Sequence, residues 1–151
     1  LSYQPTQVTN GAQILTLGYS YVNDAGYGNT GTVMISYRAM SDNSVLAATS
    51  PASPFSIPSG TSTTVLVSFT TNDGNPATGL TVSPVASAPG DWTLPGPMSC
   101  ATVDGSATTC QFSLTYAPLS PESGTLQLGY SYINNAGHAA SGILNVQYSA
   151  S

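Results

Sequence analysis

Large and small side chains alternate strictly at both ends of the chain. Leu15, Leu17, Tyr19 and Tyr21 are interleaved with Thr16, Gly18, Ser20 and Val22, and Leu126, Leu128, Tyr130 and Tyr132 with Gln127, Gly129, Ser131 and Ile133. A period of two is the mark of a strand with one face turned inward. Returning strands follow, with Val33, Ile35 and Tyr37 on one face in the first case and Leu144, Val146 and Tyr148 in the second. Between the strands lie Asn23-Asp24-Ala25-Gly26 and Asn134-Asn135-Ala136-Gly137. Asn and Asp close local turns through their side chains, and Gly supplies the positive φ that such turns need. The pattern therefore predicts two β-hairpins, with residues 27–30 and 138–141 as the variable loop after each turn.

The two hairpins are copies of one another. Residues 15–39 align with 126–150 without a gap, and 12 of the 25 positions are identical. A lone hairpin is marginal in water, so the N-terminal copy must join the rest of the sandwich or pair with a neighbouring unit. Two organisations follow. Either residues 1–151 form a single domain, or a module boundary lies near residue 40. In the second case 1–39 end one unit of a tandem array and 40–151 form the next.

The middle of the chain adds further short strands. Val45–Ala48 is apolar, and Phe55 and Ile57 sit between Pro54 and Pro58. Thr63–Thr70 places Val65, Val67 and Phe69 on one face, Leu80–Val85 follows the turn Asn72-Asp73-Gly74-Asn75, and Cys110–Tyr116 aligns Phe112, Leu114 and Tyr116. Pro89, Gly90, Pro95, Gly96 and Pro97 make residues 88–99 read as an irregular loop. No stretch keeps a helical period. About eight or more short, mostly antiparallel strands separated by turn signals predict an all-β sandwich.

Charge changes what such a domain is able to do. The chain carries one Lys+Arg (Arg38), six Asp+Glu and one His, for a net charge of −5. Without a basic footprint it has no means of neutralising phosphates, so nucleic acid and anionic lipid are excluded as partners. Charged residues are 5% of the chain, against roughly 25% in an ordinary domain. Solubility thus falls to 22 Ser and 19 Thr. No apolar run reaches the ~18 residues of a membrane helix. The chain starts at Leu1 with no signal-peptide pattern, which reads as a mature exported segment. Cys100 and Cys110 are either free thiols or a disulfide. Their spacing is too wide for a CxxC redox motif, no second pair completes a zinc site, and an exported chain favours the bond.

Catalytic chemistry finds little to work with. His138 stands in a hairpin loop where the other copy has Tyr27, and there is no G-x-S-x-G elbow to supply a nucleophile. Asp24, Asp42, Asp73, Asp91, Asp104 and Glu122 each stand alone in a turn or loop, which speaks against a glycosidase pair. Asp24 aligns with Asn135, as a turn residue would. Asp24 with Asn23 and Asn29, or Asp73 with Asn72 and Asn75, would offer oxygens to calcium, but neither matches a known loop pattern, and plain turn chemistry is the expectation. Six of the nine tyrosines share a face with Leu and Val and are expected at the core or its edge. Trp92 is expected to cover the cysteine pair. The face bearing Gly18, Ser20, Gly129 and Ser131 is expected to be solvated, with close packing against another sheet or another module as the alternative.

The stretch G-x-L-x-L-G-Y-S-Y-x-N-N-A-G (Gly124–Gly137), the segment T-T-N-D-G-N-P-A (Thr70–Ala77) and the block from Trp92 through Cys100 and Cys110 to L-T-Y-A-P (Leu114–Pro118) resemble the immunoglobulin-like repeats of large exported proteobacterial proteins. The resemblance covers most of the chain, and its motifs are structural. It implies an immunoglobulin-like sandwich and a non-enzymatic, secreted or surface-exposed bacterial module, in some cases an antigen. The sequence reading is thus a structural or adhesive module, monomeric or part of a tandem array, with a Cys100–Cys110 disulfide and no cofactor or metal. Its partner is another protein or a glycan surface. The alternative is a carbohydrate-binding module that uses exposed Tyr or Trp.

Overall fold

The computed structural model describes residues 2, 12–40 and 42–151. The chain divides into two compact units, residues 1–41 and 42–151. In the first, β1 (Gln13–Val22) and β2 (Gly28–Tyr37) pair antiparallel with Tyr19 opposite Gly31. They form a two-stranded sheet.

The second unit holds β3 (Val45–Ser50), β4 (Phe55–Ile57), β5 (Thr63–Thr71), β6 (Ala77–Pro84), β7 (Trp92–Thr93), β8 (Met98–Val103), β9 (Gln111–Tyr116), β10 (Glu122–Ile133) and β11 (Ala139–Ala150). They make a five-stranded sheet in the order β4-β11-β10-β6-β8 and a four-stranded sheet in the order β3-β5-β9-β7. Pairing is antiparallel except between β11 and β4, which run parallel from Tyr148 opposite Phe55. The all-β sandwich follows from the alternation. Val65, Val67 and Phe69 of β5 and Leu114 and Tyr116 of β9 share one buried cluster with Leu80 of β6, Leu126 and Leu128 of β10, and Val146 of β11. Each is a position of the period-two pattern, and together they fill the space between the sheets.

Two expectations change here. The variable segments after the hairpin turns are strand and not loop beyond Tyr27 and His138, since β2 starts at Gly28 and β11 at Ala139. The stretch read as irregular contains β7 and the start of β8. Pro and Gly at 95–97 mask these strands because they punctuate the link between two sheets and do not interrupt one strand. β7 pairs with β9 in one sheet, and β8 pairs with β6 in the other.

The Cys100–Cys110 bond is formed, with a Cα–Cα distance of 5.8 Å. Cys100 lies on β8 in the five-stranded sheet and Cys110 immediately precedes β9 in the four-stranded one, so the bond ties the two sheets together. Trp92 does not cover it. Its ring stacks on Tyr116 at 4.9 Å between centroids and meets Phe55 and Tyr148 edge-on. This aromatic group sits at the end of β9 remote from Cys110, because register places Trp92 opposite Tyr116.

A glycine motif explains part of the repeat. Tyr19 lies across from Gly31, and Tyr130 across from Gly142. In each pair the tyrosine ring lies over the glycine, and a Cβ there would overlap it. An aromatic ring laid on a cross-strand glycine covers backbone that would otherwise be bare. Gly124 and Tyr148 form a third such pair. The first hairpin lacks its counterpart, since Gln13 stands opposite Tyr37.

Candidate functional site

The two hairpin turns are superposable in their bonding. The Asn23 N–H donates to the Tyr27 carbonyl at 2.9 Å, and the Asn134 N–H to that of His138 at 2.9 Å. Asn23 Oδ1 accepts the Tyr27 N–H at 2.8 Å, as Asn134 Oδ1 accepts the His138 N–H at 2.8 Å. The glycine N–H of each turn donates to the leading asparagine carbonyl at 3.0 Å, with φ of 81° at Gly26 and 87° at Gly137. The first asparagine of the turn is therefore an internal brace.

In the second unit the next residue, Asn135, reaches outward and meets the start of the unit. Asn43 is buried, and it exchanges two bonds with Asn135. The Asn43 N–H donates to Asn135 Oδ1 at 3.1 Å, and the Asn135 N–H donates to Asn43 Oδ1 at 3.0 Å. The Asn43 amide then donates to Asp73 Oδ1 at 3.0 Å and to the Asn75 carbonyl at 2.8 Å. Asp73 also accepts the Asn75 N–H at 3.0 Å, the Asn75 amide at 2.8 Å and the Asn135 amide at 3.3 Å. Both its oxygens are thus met by neutral donors. Asn75 contributes most to holding the Asp73 carboxyl below its ordinary value; the cost of burial opposes it, and Asn43 adds a lesser lowering.

Bonds beside this knot fasten the same strand. Ser44 and Asn72 exchange two bonds, from the Ser44 N–H to Asn72 Oδ1 at 2.9 Å and from the Asn72 N–H to the Ser44 carbonyl at 3.0 Å. The Val45 N–H donates to the Tyr132 hydroxyl at 3.0 Å, and the Tyr130 hydroxyl to the Val45 carbonyl at 3.3 Å. Exposed His138 approaches Asp42, with Nδ1 2.8 Å from Oδ1. Residues 42–45 are in this way stitched to the β5–β6 turn and to the β10–β11 turn.

The sequence candidates sort accordingly. Of Asn72, Asp73 and Asn75, weighed as a calcium loop, Asp73 and the Asn75 carbonyl accept from the Asn43 amide, whereas Asn72 turns to Ser44. Among the described residues no three His, Cys, Asp or Glu side chains cluster as a metal site would require. Asn23, Asp24 and Gly26 stay in their own turn in the first unit, and in the second Asn134 and Gly137 hold the turn while Asn135 joins the knot. Glu122 accepts the Tyr116 hydroxyl at 2.9 Å. Burial, with that carboxylate beside it, drives the Tyr116 phenol far above its ordinary range. Asp104 braces its own loop, accepting the Ser106 N–H at 2.7 Å and the Thr109 hydroxyl at 3.1 Å. Asn43 is the site residue that the sequence reading did not find. Its partners lie 30 and 92 residues away, and no local pattern points to it. The small-residue face is lined in the second unit by β6, with the Thr81 and Ser131 hydroxyls 3.0 Å apart.

No family model matches the chain, and no curated protein matches it. Among solved structures the chain is similar to domains 4 and 5 of the S-layer protein SbsC, at 10% identity and a TM-score of 0.41, over 91% of this chain and 70% of that one. It is also similar to domains 1–6 of the surface layer protein SbsC, at 11% identity and a TM-score of 0.43, where 91% of this chain spans 20% of that one.

Proposed function

We propose that the chain is a structural or adhesive stretch of an exported bacterial surface or secreted protein, built from immunoglobulin-like modules in tandem and exposed where a host would meet it as an antigen. Residues 12–40 would be the last hairpin of one module, and 42–151 the whole of the next. The carrying observation is the knot around Asn43. The second unit uses its polar side chains to tie its first residues to two of its own turns, as a module that transmits force or spacing along a chain requires. The strand order supports the immunoglobulin-like assignment. β3, β5 and β9 occupy the A-B-E positions of one sheet, and β11, β10 and β6 the G-F-C positions of the other. β7 and β8 depart from that pattern, because the strand beside β9 comes before the strand beside β6 in the chain. Export is supported by the sheet-to-sheet disulfide, a bond that a reducing cytosol does not maintain.

Protease shaving of intact producing cells tests this reading. Fragments carrying the oxidised Cys100–Cys110 pair should be released into the medium. Recovery of the protein only from lysed cells, with both thiols reduced, would overturn it.

One observation favours a second reading, carbohydrate binding. Tyr19 and Tyr21 are exposed and lie side by side, with centroids 6.2 Å apart and planes inclined by 22°. Aromatic faces of this kind stack on sugars. A glycan array with no binding removes that reading. Trp92 is buried and has no part in it.

A further inference from the structure

Among the described residues, the β1–β2 face is a core-like surface whose large side chains stay exposed. Leu15 is 39% exposed where its counterpart Leu126 is 2%, Leu17 37% where Leu128 is 0%, and Tyr21 53% where Tyr132 is 7%. Val33 and Tyr19 are exposed as well. The second unit displays what covers such a face. β10–β11 lies against the four-stranded sheet, pairs through β10 with β6 and through β11 with β4, and receives the knot on its turn.

We propose that β1–β2 is the closing hairpin of a second sandwich body of the same construction as residues 42–121, and that this body carries a neutral or hydrogen-donating side chain where the present chain has Asp73. The first clause rests on the modular reading above and gives it an occupant. The second comes from the turn. Because the two turns bond alike, Asp24 stands where Asn135 stands. The Asn135 Oδ1 accepts the Asn43 N–H, a role that a carboxylate fills equally well. The Asn135 amide, however, donates to Asp73 at 3.3 Å. With aspartate in its place two carboxylates would meet at that distance, and like charges so close disfavour each other, by an amount that solvent moderates. A body with Asn, Ser or Lys at the Asp73 position would restore a donor facing Asp24. The hairpin therefore fits a sister module better than it fits a second copy of this one.

A graft tests both clauses in the full chain. Residues 126–150 are replaced by the sequence of 15–39, alone and together with Asp73→Asn. The grafted chain should melt cooperatively, and Asp73→Asn should raise its midpoint by about 1–4 °C, the scale of a solvent-exposed charge pair in a domain of this size. In the unaltered chain the same substitution should lower the midpoint, because Asp73 there accepts four bonds. Asn135→Asp in the otherwise intact chain reads the charge clause even if the graft does not fold. It should lower the midpoint, and adding Asp73→Asn should recover it. Loss of cooperative melting in both grafts overturns the shared-body clause. Failure of Asp73→Asn to rescue either Asp-bearing chain overturns the charge clause. Glycan binding by the intact chain that Tyr19→Ala or Tyr21→Ala abolishes would give the face to a sugar and overturn the proposal. These melts are indifferent to export, so they can fail while the surface reading stands, and the reverse.

Discussion

Hairpins β1–β2 and β10–β11 share nearly half their residues, the same register and the same turn, yet one is bare and the other forms the middle of a core. Leu17 and Leu128 differ in nothing but their surroundings. Local sequence specifies a hairpin and its inward face, whereas burial of that face is decided by chain far away. In the second unit that chain is β3, β5 and β9, together with β6 and β4 at the edges.

The leucine pair gives the largest expected contrast. Leu128→Ala should cost about 3–5 kcal/mol of unfolding free energy in a urea titration, from lost transfer energy and the cavity left behind. Leu17→Ala should change the main transition by no more than ~0.5 kcal/mol. Equal losses would mean that the first hairpin is covered after all. Reduction of Cys100–Cys110 should come next. It joins the two sheets of the second unit across a separation of 10 residues, and loop-closure entropy assigns it roughly 2–3 kcal/mol. The reductant should lower the main transition without altering the hairpin's exposed face.

Asn43→Ala should cost about 1–3 kcal/mol, because it strands the Asn135 N–H without its acceptor and removes a donor from Asp73. Truncation of Asp24, on the hairpin without a body, should leave the same transition in place. The glycines sharpen the contrast once more. Gly142→Ala forces a Cβ into the Tyr130 ring inside the packed unit and should cost about 1–3 kcal/mol. Gly31→Ala makes the same clash with Tyr19 and should disturb only the first hairpin. Chemical shifts confined to residues 13–37 would show this.

These contrasts mark how far the sequence can be read. The hairpins, β5 and β9 were legible because alternation and turn residues are local signals with local causes. β8 was not, because Pro95, Gly96 and Pro97 before it look like loop when the chain is in fact crossing between sheets. The exposure of Tyr19 and Tyr21 was illegible in principle, since an identical pattern is buried at Tyr132. The turn at 72–75 was visible as a cluster of oxygens, but its use was hidden. Asn43 and Asn135 are ordinary polar residues until folding brings them to Asp73, to which their amides donate.

The smallest effect concerns acid, and it separates the knot from the plain turn. Asp73 is held below its ordinary value of 3.8, chiefly by the Asn75 amide. A carboxyl whose folded value is depressed binds its proton more readily in the unfolded chain. Its stabilising contribution is therefore complete above the ordinary value and is lost as pH falls through the lower, folded one. Denaturant midpoints taken at pH 7 and then in steps below pH 4 should show a modest decline in the wild-type chain. The effect is small because Asp73 is solvent-exposed and its bonds compete with water. Asp73→Asn should start from a lower midpoint at neutral pH and then decline less steeply. Protonation has nothing left to remove there, and the amide has already replaced an acceptor with a donor that faces those of Asn43 and Asn135. An acid limb unchanged by Asp73→Asn would mean that the knot is held by the Asn43–Asn135 exchange alone, and that the carboxylate only fills the space between the turns.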